Sequence, residues 1–234
     1  MSLLILTNAS AERQPEQQEI CTWEDLKLSI YDDWPVRVRQ PLQSAIAAPI
    51  KNENRFYGPW QELLRHCFSR IVEDDAADAK MFFLPHPQIS PHYTINTSFS
   101  HLSTIDLTVL EFGDQEPDGK IVLFVEVKPP TQLCFASARQ EADTQIRERY
   151  DVYGVHTKIP YLPAISAFGP HCRFYTGDMR SRIIEPELQD PPATHVPPDY
   201  LQGEWNINIL TKEGRDKMCD IVKQILQLCN NRRG

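Results

Sequence analysis

The chain has 234 residues, 41% of them hydrophobic, enough to bury the core of one large domain. Acidic side chains outnumber basic ones by 32 to 24, and the net charge of −8 excludes tight, non-specific adhesion to a phosphate backbone, so any nucleic-acid contact has to be a local basic patch or go through a metal ion. Six scattered cysteines without a CxxC pair exclude a disulfide-built secreted scaffold, and no run approaches the ~20 apolar residues of a membrane helix. The expectation is a soluble intracellular protein, in nucleus or cytoplasm, with no membrane partner.

Residues 1–55 read as an N-terminal extension packed on the body: polar tracts around one compact cluster, Trp23 to Trp34, suited to a short helix. Residues 56–234 read as one α/β domain. From Pro59, a favoured first helical residue, Trp60, Leu63, Leu64, Cys67, Phe68 and Ile71 fall at helical spacing. Met81 to Leu84 is a short strand, after which Pro85, Pro87 and Pro91 predict a loop through about residue 100. Thr104 to Phe112 and Lys120 to Lys128 are the clearest strands, and the Gly113–Gly119 segment between them is turn chemistry that makes them antiparallel neighbours. Pro129-Pro130 ends the second strand, and an amphipathic helix follows from Leu133 to Tyr153, its stripe formed by Phe135, Ala138, Ala142, Ile146, Arg149 and Tyr153. Ala164 to Phe168 and Cys172 to Tyr175 form a second hairpin across Gly169-Pro170-His171. A proline-rich loop, Pro186 to Pro198, leads to a strand-like Trp205 to Leu210 and a last helix, Lys212 to Cys229. The apolar stripe of that helix packs inside the domain or forms a homodimer interface.

Charge at the end of a buried strand is what draws attention. Ile121 to Val127 is almost continuously apolar, as in a strand covered on both faces, yet it carries Glu126 and ends in Lys128. Alternation puts these two on one face, while Asp106 sits among Ile105, Leu107, Val109 and Leu110 on the preceding strand, where a hairpin brings it opposite Glu126. Two carboxylates removed from water repel, and a hard divalent cation such as Mg²⁺ or Mn²⁺ is the natural compensation. Lys128 would then point at a phosphate and the attacking water.

Asp106 followed by Glu126-Val127-Lys128, then a helix, resembles the PD-(D/E)XK nuclease signature, with the elements of residues 57 to 176 in that family's order of helix, three strands, helix, strand. The resemblance implies a restriction-endonuclease-like core, a mixed central sheet flanked by helices in αβββαβ order. It also implies Mg²⁺ bound by Asp106, Glu126 and the backbone carbonyl of Val127, with Mn²⁺ able to substitute. The implied catalytic residues are Asp106, Glu126, Lys128 and Gln145, Lys128 orienting the hydrolytic water. Ile105 stands where the signature has proline. Glu62 is the candidate for the glutamate that many members carry on the first helix. The exonuclease-like branches have Gln-x-x-x-Tyr on the helix after the lysine; here Gln145 is followed at that spacing by Arg149, with Tyr150 one position later, and these two become candidate substrate contacts.

Plainer readings stand beside these. Asp25-Leu26-Lys27, Asp78-Ala79-Lys80 and Asp118-Gly119-Lys120 fit the same three-residue pattern, so Glu126 and Lys128 could be an ordinary ion pair with Asp106 capping a turn. Glu62 reads equally as a solvated surface glutamate, and Arg139 and Arg147 as solvated or paired with Glu141 and Asp143. His66-Cys67 and His171-Cys172 lack a second zinc-spaced pair and read as core or loop residues. Three functions remain open: a Mg²⁺-dependent phosphodiesterase that leaves a 5′-phosphate on DNA after in-line attack by a metal-bound water, a nuclease-fold binding or regulatory module, and an unrelated α/β enzyme should Asp106 and Glu126 lie far apart.

Overall fold

The structure is a computed structural model that describes residues 33–47, 53–74, 81–89, 105–113, 116–189 and 195–231. The Trp23 cluster up to residue 32, the loop of residues 90–104 and the Arg232-Arg233 tail lie outside the described residues, as does the Ile71 side chain.

Among the described residues, four helices and seven strands follow one another as α1 (Val36–Ala47), α2 (Asn54–Asp74), β1 (Met81–Ile89), β2 (Ile105–Gly113), β3 (Glu116–Lys128), α3 (Ala136–Tyr153), β4 (Tyr161–Phe168), β5 (His171–Asp178), β6 (Ile183–Glu185), β7 (Ile207–Asn208) and α4 (Lys212–Asn231). The strands form one mixed sheet in the order β1-β2-β3-β4-β5-β6, with β7 also on β5. All pairings are antiparallel except β3 with β4, and it is there that α3 intervenes: parallel strands need a long crossover, and a helix supplies it. The chain is thus an α/β protein with an open mixed sheet flanked by helices. Among the described residues no helix is long and apolar enough to cross a membrane.

Helix α3 lies along one face of the sheet and runs against the direction of β3. Phe124 stacks edge-on to Tyr150, Glu126 meets Arg149 and Lys128 meets Glu141, so rising numbers on the strand meet falling numbers on the helix. The opposite face, with Leu107, Val109, Val125, Val127, Ile165 and Ala167, is fully buried in the core shared with α1, α2 and α4. Trp60, Leu63, Leu64, Cys67 and Phe68 are buried as their spacing predicts. Trp34 donates its indole N–H to the Ile209 carbonyl at 2.6 Å, tying the segment before α1 to the one before α4. His66 and Cys67 are both buried core residues, His66 edge-on to Trp34.

Several boundaries differ from the sequence reading. Helix α2 begins five residues earlier than Pro59, which lies within it and removes one N–H after the first turn, where a helix can spare it. Helix α1 was not expected; Pro41 in the middle of its run and its polar positions hide the periodicity. Strand β1 continues through Pro85 and Pro87 because it is the outermost described strand. Two residues apart, the prolines both occupy positions whose amide would face away from β2, so the ladder loses nothing. Helix α3 starts three residues later than Leu133, after a 3-10 turn over Pro130–Gln132. Strand β7 is two residues long rather than six, within a run of turns.

Candidate active site

The β2–β3 register pairs Leu107 with Val125, and one step further places Asp106 opposite Glu126. Both acids share the α3 face with Lys128, at the carboxyl end of the parallel β3–β4 pair, where open α/β sheets usually bind ligands. On the same row Glu126 neighbours Ser166 of β4, and Ser166 neighbours Arg173 of β5. The third reading, which required distant acids, does not meet its own condition.

Each carboxylate is held by built-in donors. The Val127 amide donates to Asp106 Oδ2 at 2.8 Å, so the carboxylate substitutes for a ladder acceptor just where the two strands end their pairing. The Tyr57 hydroxyl donates to Asp106 Oδ1 at 2.8 Å and lies 3.2 Å from Glu53 Oε1; one phenolic proton serves one acceptor at a time, and the shorter contact is to Asp106. Arg149 Nε donates to Glu126 Oε1 at 2.6 Å, with both side chains almost wholly buried. Lys128 Nζ donates to Glu141 Oε1 at 3.3 Å; Glu141 is largely exposed, so this contact is weak and readily exchanged.

Burial raises the Asp106 carboxyl above its ordinary value, against the Val127 and Tyr57 hydrogen bonds, with nearby Glu53 pushing the same way as burial. Burial likewise raises Glu126 to about 7, opposed by Arg149 and assisted by the charge of Asp106. Burial and the acids beside it also raise the Tyr57 hydroxyl, which therefore stays a donor.

The remaining predicted residues divide. Gln145 stands one helical turn from both Glu141 and Arg149, on a ridge whose ends touch Lys128 and Glu126, and its buried Oε1 has no hydrogen-bond partner. Glu62 is not brought to the acids; it pairs with Arg37 at 3.9 Å and Arg65 at 3.6 Å on a half-exposed helix face. The acid from the start of α2 that does approach Asp106 is Glu53, through Tyr57. Arg149 holds Glu126 instead of projecting outward, because a guanidinium in that stripe needs a carboxylate. Tyr150 is a packing residue: its hydroxyl donates to the Leu162 carbonyl at 2.9 Å and its ring meets Phe124, which leaves it nothing to offer a substrate.

Sequence reasoning missed Tyr57, Glu53 and Arg173. Starting α2 five residues earlier would have put Tyr57 and Glu53 at its mouth. Arg173 donates to Asp143 Oδ1 at 2.6 Å and lies over the Tyr175 and Trp205 rings; Arg147 and the Tyr175 hydroxyl also donate to Asp143. This buried cluster braces α3 against β5. Arg147 thus pairs with Asp143 as its spacing suggests, whereas Arg139 is neither solvated nor paired with an acid: it donates to the carbonyls of Leu133, Pro198 and Tyr200.

Among the described residues no three acids, histidines or cysteines lie close enough to cage a metal ion alone. Two carboxylates with a neighbouring carbonyl still suit Mg²⁺, which commonly takes one or two carboxylates and completes its shell with water and phosphate. The raised carboxyls, with the buried Gln145 Oε1 that meets no donor among the described residues, are the observations of this fold that fit such an ion.

No family model matches the chain, and no curated protein or solved structure is similar enough to register as a match.

Proposed function

We propose that this chain is a Mg²⁺-dependent phosphodiesterase of the restriction-endonuclease-like, PD-(D/E)XK kind, acting on DNA. The observation that carries the proposal is the cross-strand pair of acids, half-buried Asp106 opposite buried Glu126, with Lys128 on the same face at the carboxyl end of β3. The sequence of helix, three meandering strands, helix and parallel strand is compatible with that core.

Asp106, Glu126 and the Val127 carbonyl would hold the ion, which when bound supplies Lewis-acid charge at the scissile phosphate and makes water a better nucleophile. Each of the chain's own residues has a task consistent with its contacts. The Val127 amide and Tyr57 fix the Asp106 carboxylate in one orientation, and Arg149 fixes Glu126. Lys128 exchanges its weak contact with Glu141 for a phosphate oxygen, where its charge offsets the negative charge that develops there. The unpartnered Gln145 Oε1 accepts a hydrogen bond from water entering between Lys128 and Glu126.

Plasmid nicking and trimming of labelled single strands, with Mg²⁺, Mn²⁺, Ca²⁺ or EDTA, test the proposal. Mg²⁺ or Mn²⁺ should support cleavage, and Asp106→Asn, Glu126→Gln and Lys128→Ala should each lower it by at least about 100-fold while the fold persists by circular dichroism. Absence of metal-dependent cleavage on every substrate would favour the second reading, a binding or regulatory module. The feature favouring that reading is Arg149, already seated on Glu126 as a resident cation in a chain of net charge −8.

A further inference from the structure

A cleft of about 520 Å³ opens beside the amino end of α3, between the segment that follows Lys128 and the turns before β7. Its walls include Pro130, Leu133, Cys134, Arg139, Gln202 and Trp205. The volume is that of a site for one small organic unit rather than a gap between side chains. Pro130 is two residues past Lys128, so the near wall stands within about 7 Å of backbone from the candidate catalytic lysine.

The chemistry of the walls is specific. Arg139 spends three of its five N–H donors on backbone carbonyls, Nε on Tyr200 at 2.7 Å, Nη1 on Leu133 at 2.9 Å and Nη2 on Pro198 at 2.7 Å. No carboxylate pairs with it among the described residues. The side chain is almost wholly buried yet lines the cleft, and two of its N–H donors take no acceptor among the described residues. No acid is among the lining residues, in a chain that is acidic throughout. Trp205, almost wholly buried, also lines the cleft and is held fixed: its indole donates to Ser166 Oγ at 3.2 Å, meets Phe168 edge-on and is backed by the Arg173 guanidinium. Gln202 adds an exposed amide at the rim. A cation with spare donors, an aromatic wall and an amide together match a phosphate attached to a planar, partly apolar group.

We propose that this cleft binds one phosphorylated nucleoside unit of a nucleic-acid strand. The proposal deepens the phosphodiesterase reading and rests on it, and it names the substrate: a strand whose end or unpaired nucleotide leaves the acids and enters the cleft.

Binding is measurable without metal, where cleavage cannot interfere. The full chain is titrated in EDTA with 5′-phosphorylated dithymidylate, its unphosphorylated form and inorganic phosphate, by calorimetry. The exposed Cys134 thiol provides a second readout, since an occupied cleft should slow its reaction with a thiol reagent at least several-fold. Cys134→Glu and Gln202→Glu place negative charge at the rim without touching the three carbonyls held by Arg139. Each should weaken dithymidylate binding at least 10-fold. No binding up to millimolar dithymidylate, or binding that ignores both substitutions, overturns the proposal. Equal binding of inorganic phosphate reduces the cleft to an anion site and overturns its nucleoside part. Cleavage assays on the native chain with Mg²⁺ separate the two readings: cleft binding by a native chain that never cleaves supports the cleft and removes only the catalysis.

Discussion

Burial raises the Glu126 carboxyl to about 7 from 4.5, although Arg149 and Lys128 both pull it down. Between those two values the folded chain binds more protons at this group than the unfolded chain. Its contribution to stability therefore falls as pH rises from about 4.5 to about 7 and is constant beyond. The shift corresponds to up to about 3 kcal/mol. Urea denaturation at pH 5 and pH 7.5 should show this decline in the metal-free protein, and Glu126→Gln should flatten it; a decline that persists in the variant would assign it to another group. Arg149→Met leaves a buried carboxylate without its cation and should cost about 3–5 kcal/mol at pH 7.5, and distinctly less at pH 5, where Glu126 takes up a proton. The sequence showed that Glu126 and Lys128 needed an explanation because charge at the end of an apolar strand is costly. It did not show which cation answers Glu126, because Arg149 and Glu126 are 23 residues apart and meet only once α3 folds back along β3. Glu62, which also read as a surface glutamate, pairs with Arg37 and Arg65 on a half-exposed face of α2.

Elements were legible where periodicity and punctuation agreed. The β2–β3 hairpin and α3 announce themselves through a long apolar run and a proline stop, although β3 begins at Glu116, within the Gly113–Gly119 segment that reads as a turn. Helix α1 and the outer half of β1 were hidden because their prolines carry a local message that position in the fold overrides. Helix α4 shows the converse, a contact no local rule contains. Thr211 caps it, its hydroxyl accepting from the Gly214 amide at 3.2 Å, and Gly214 sits directly on the backbone before it. A Cβ there would lie 2.2 Å from the Asn208 carbonyl oxygen and 2.6 Å from Ile209 Cα, neither of which is a side chain that can rotate away. Gly214→Ala should therefore cost about 2 kcal/mol or more despite the better helix propensity of alanine, read as a drop of several degrees in Tm. An unchanged Tm would mean that α4 can slide along β7. Gly169 has a comparable role at the β4–β5 turn, where φ is +60° and Pro130 crowds the missing Cβ at 3.0 Å.

At the scale of the whole molecule, charge decides how a polyanion is met. With a net charge of −8, general attraction is absent, and the proposed contacts offer Lys128 and the Arg139 edge rather than a basic surface. Oligonucleotide affinity in EDTA should therefore fall only gently with salt, with a slope of log K against log salt near −1 to −2. Filter binding or fluorescence anisotropy from 50 to 300 mM KCl measures it, and a slope steeper than about −4 would reveal a basic face beyond these two groups. Pro85 and Pro87 have a consequence at this scale too. A second copy approaching the outer side of β1 finds alternate backbone positions with no hydrogen to give, so the sheets of two molecules cannot zip together there. Replacing both prolines with threonine would restore a continuous donor row, and light scattering of the concentrated variant should then report fibrous association that the native chain resists.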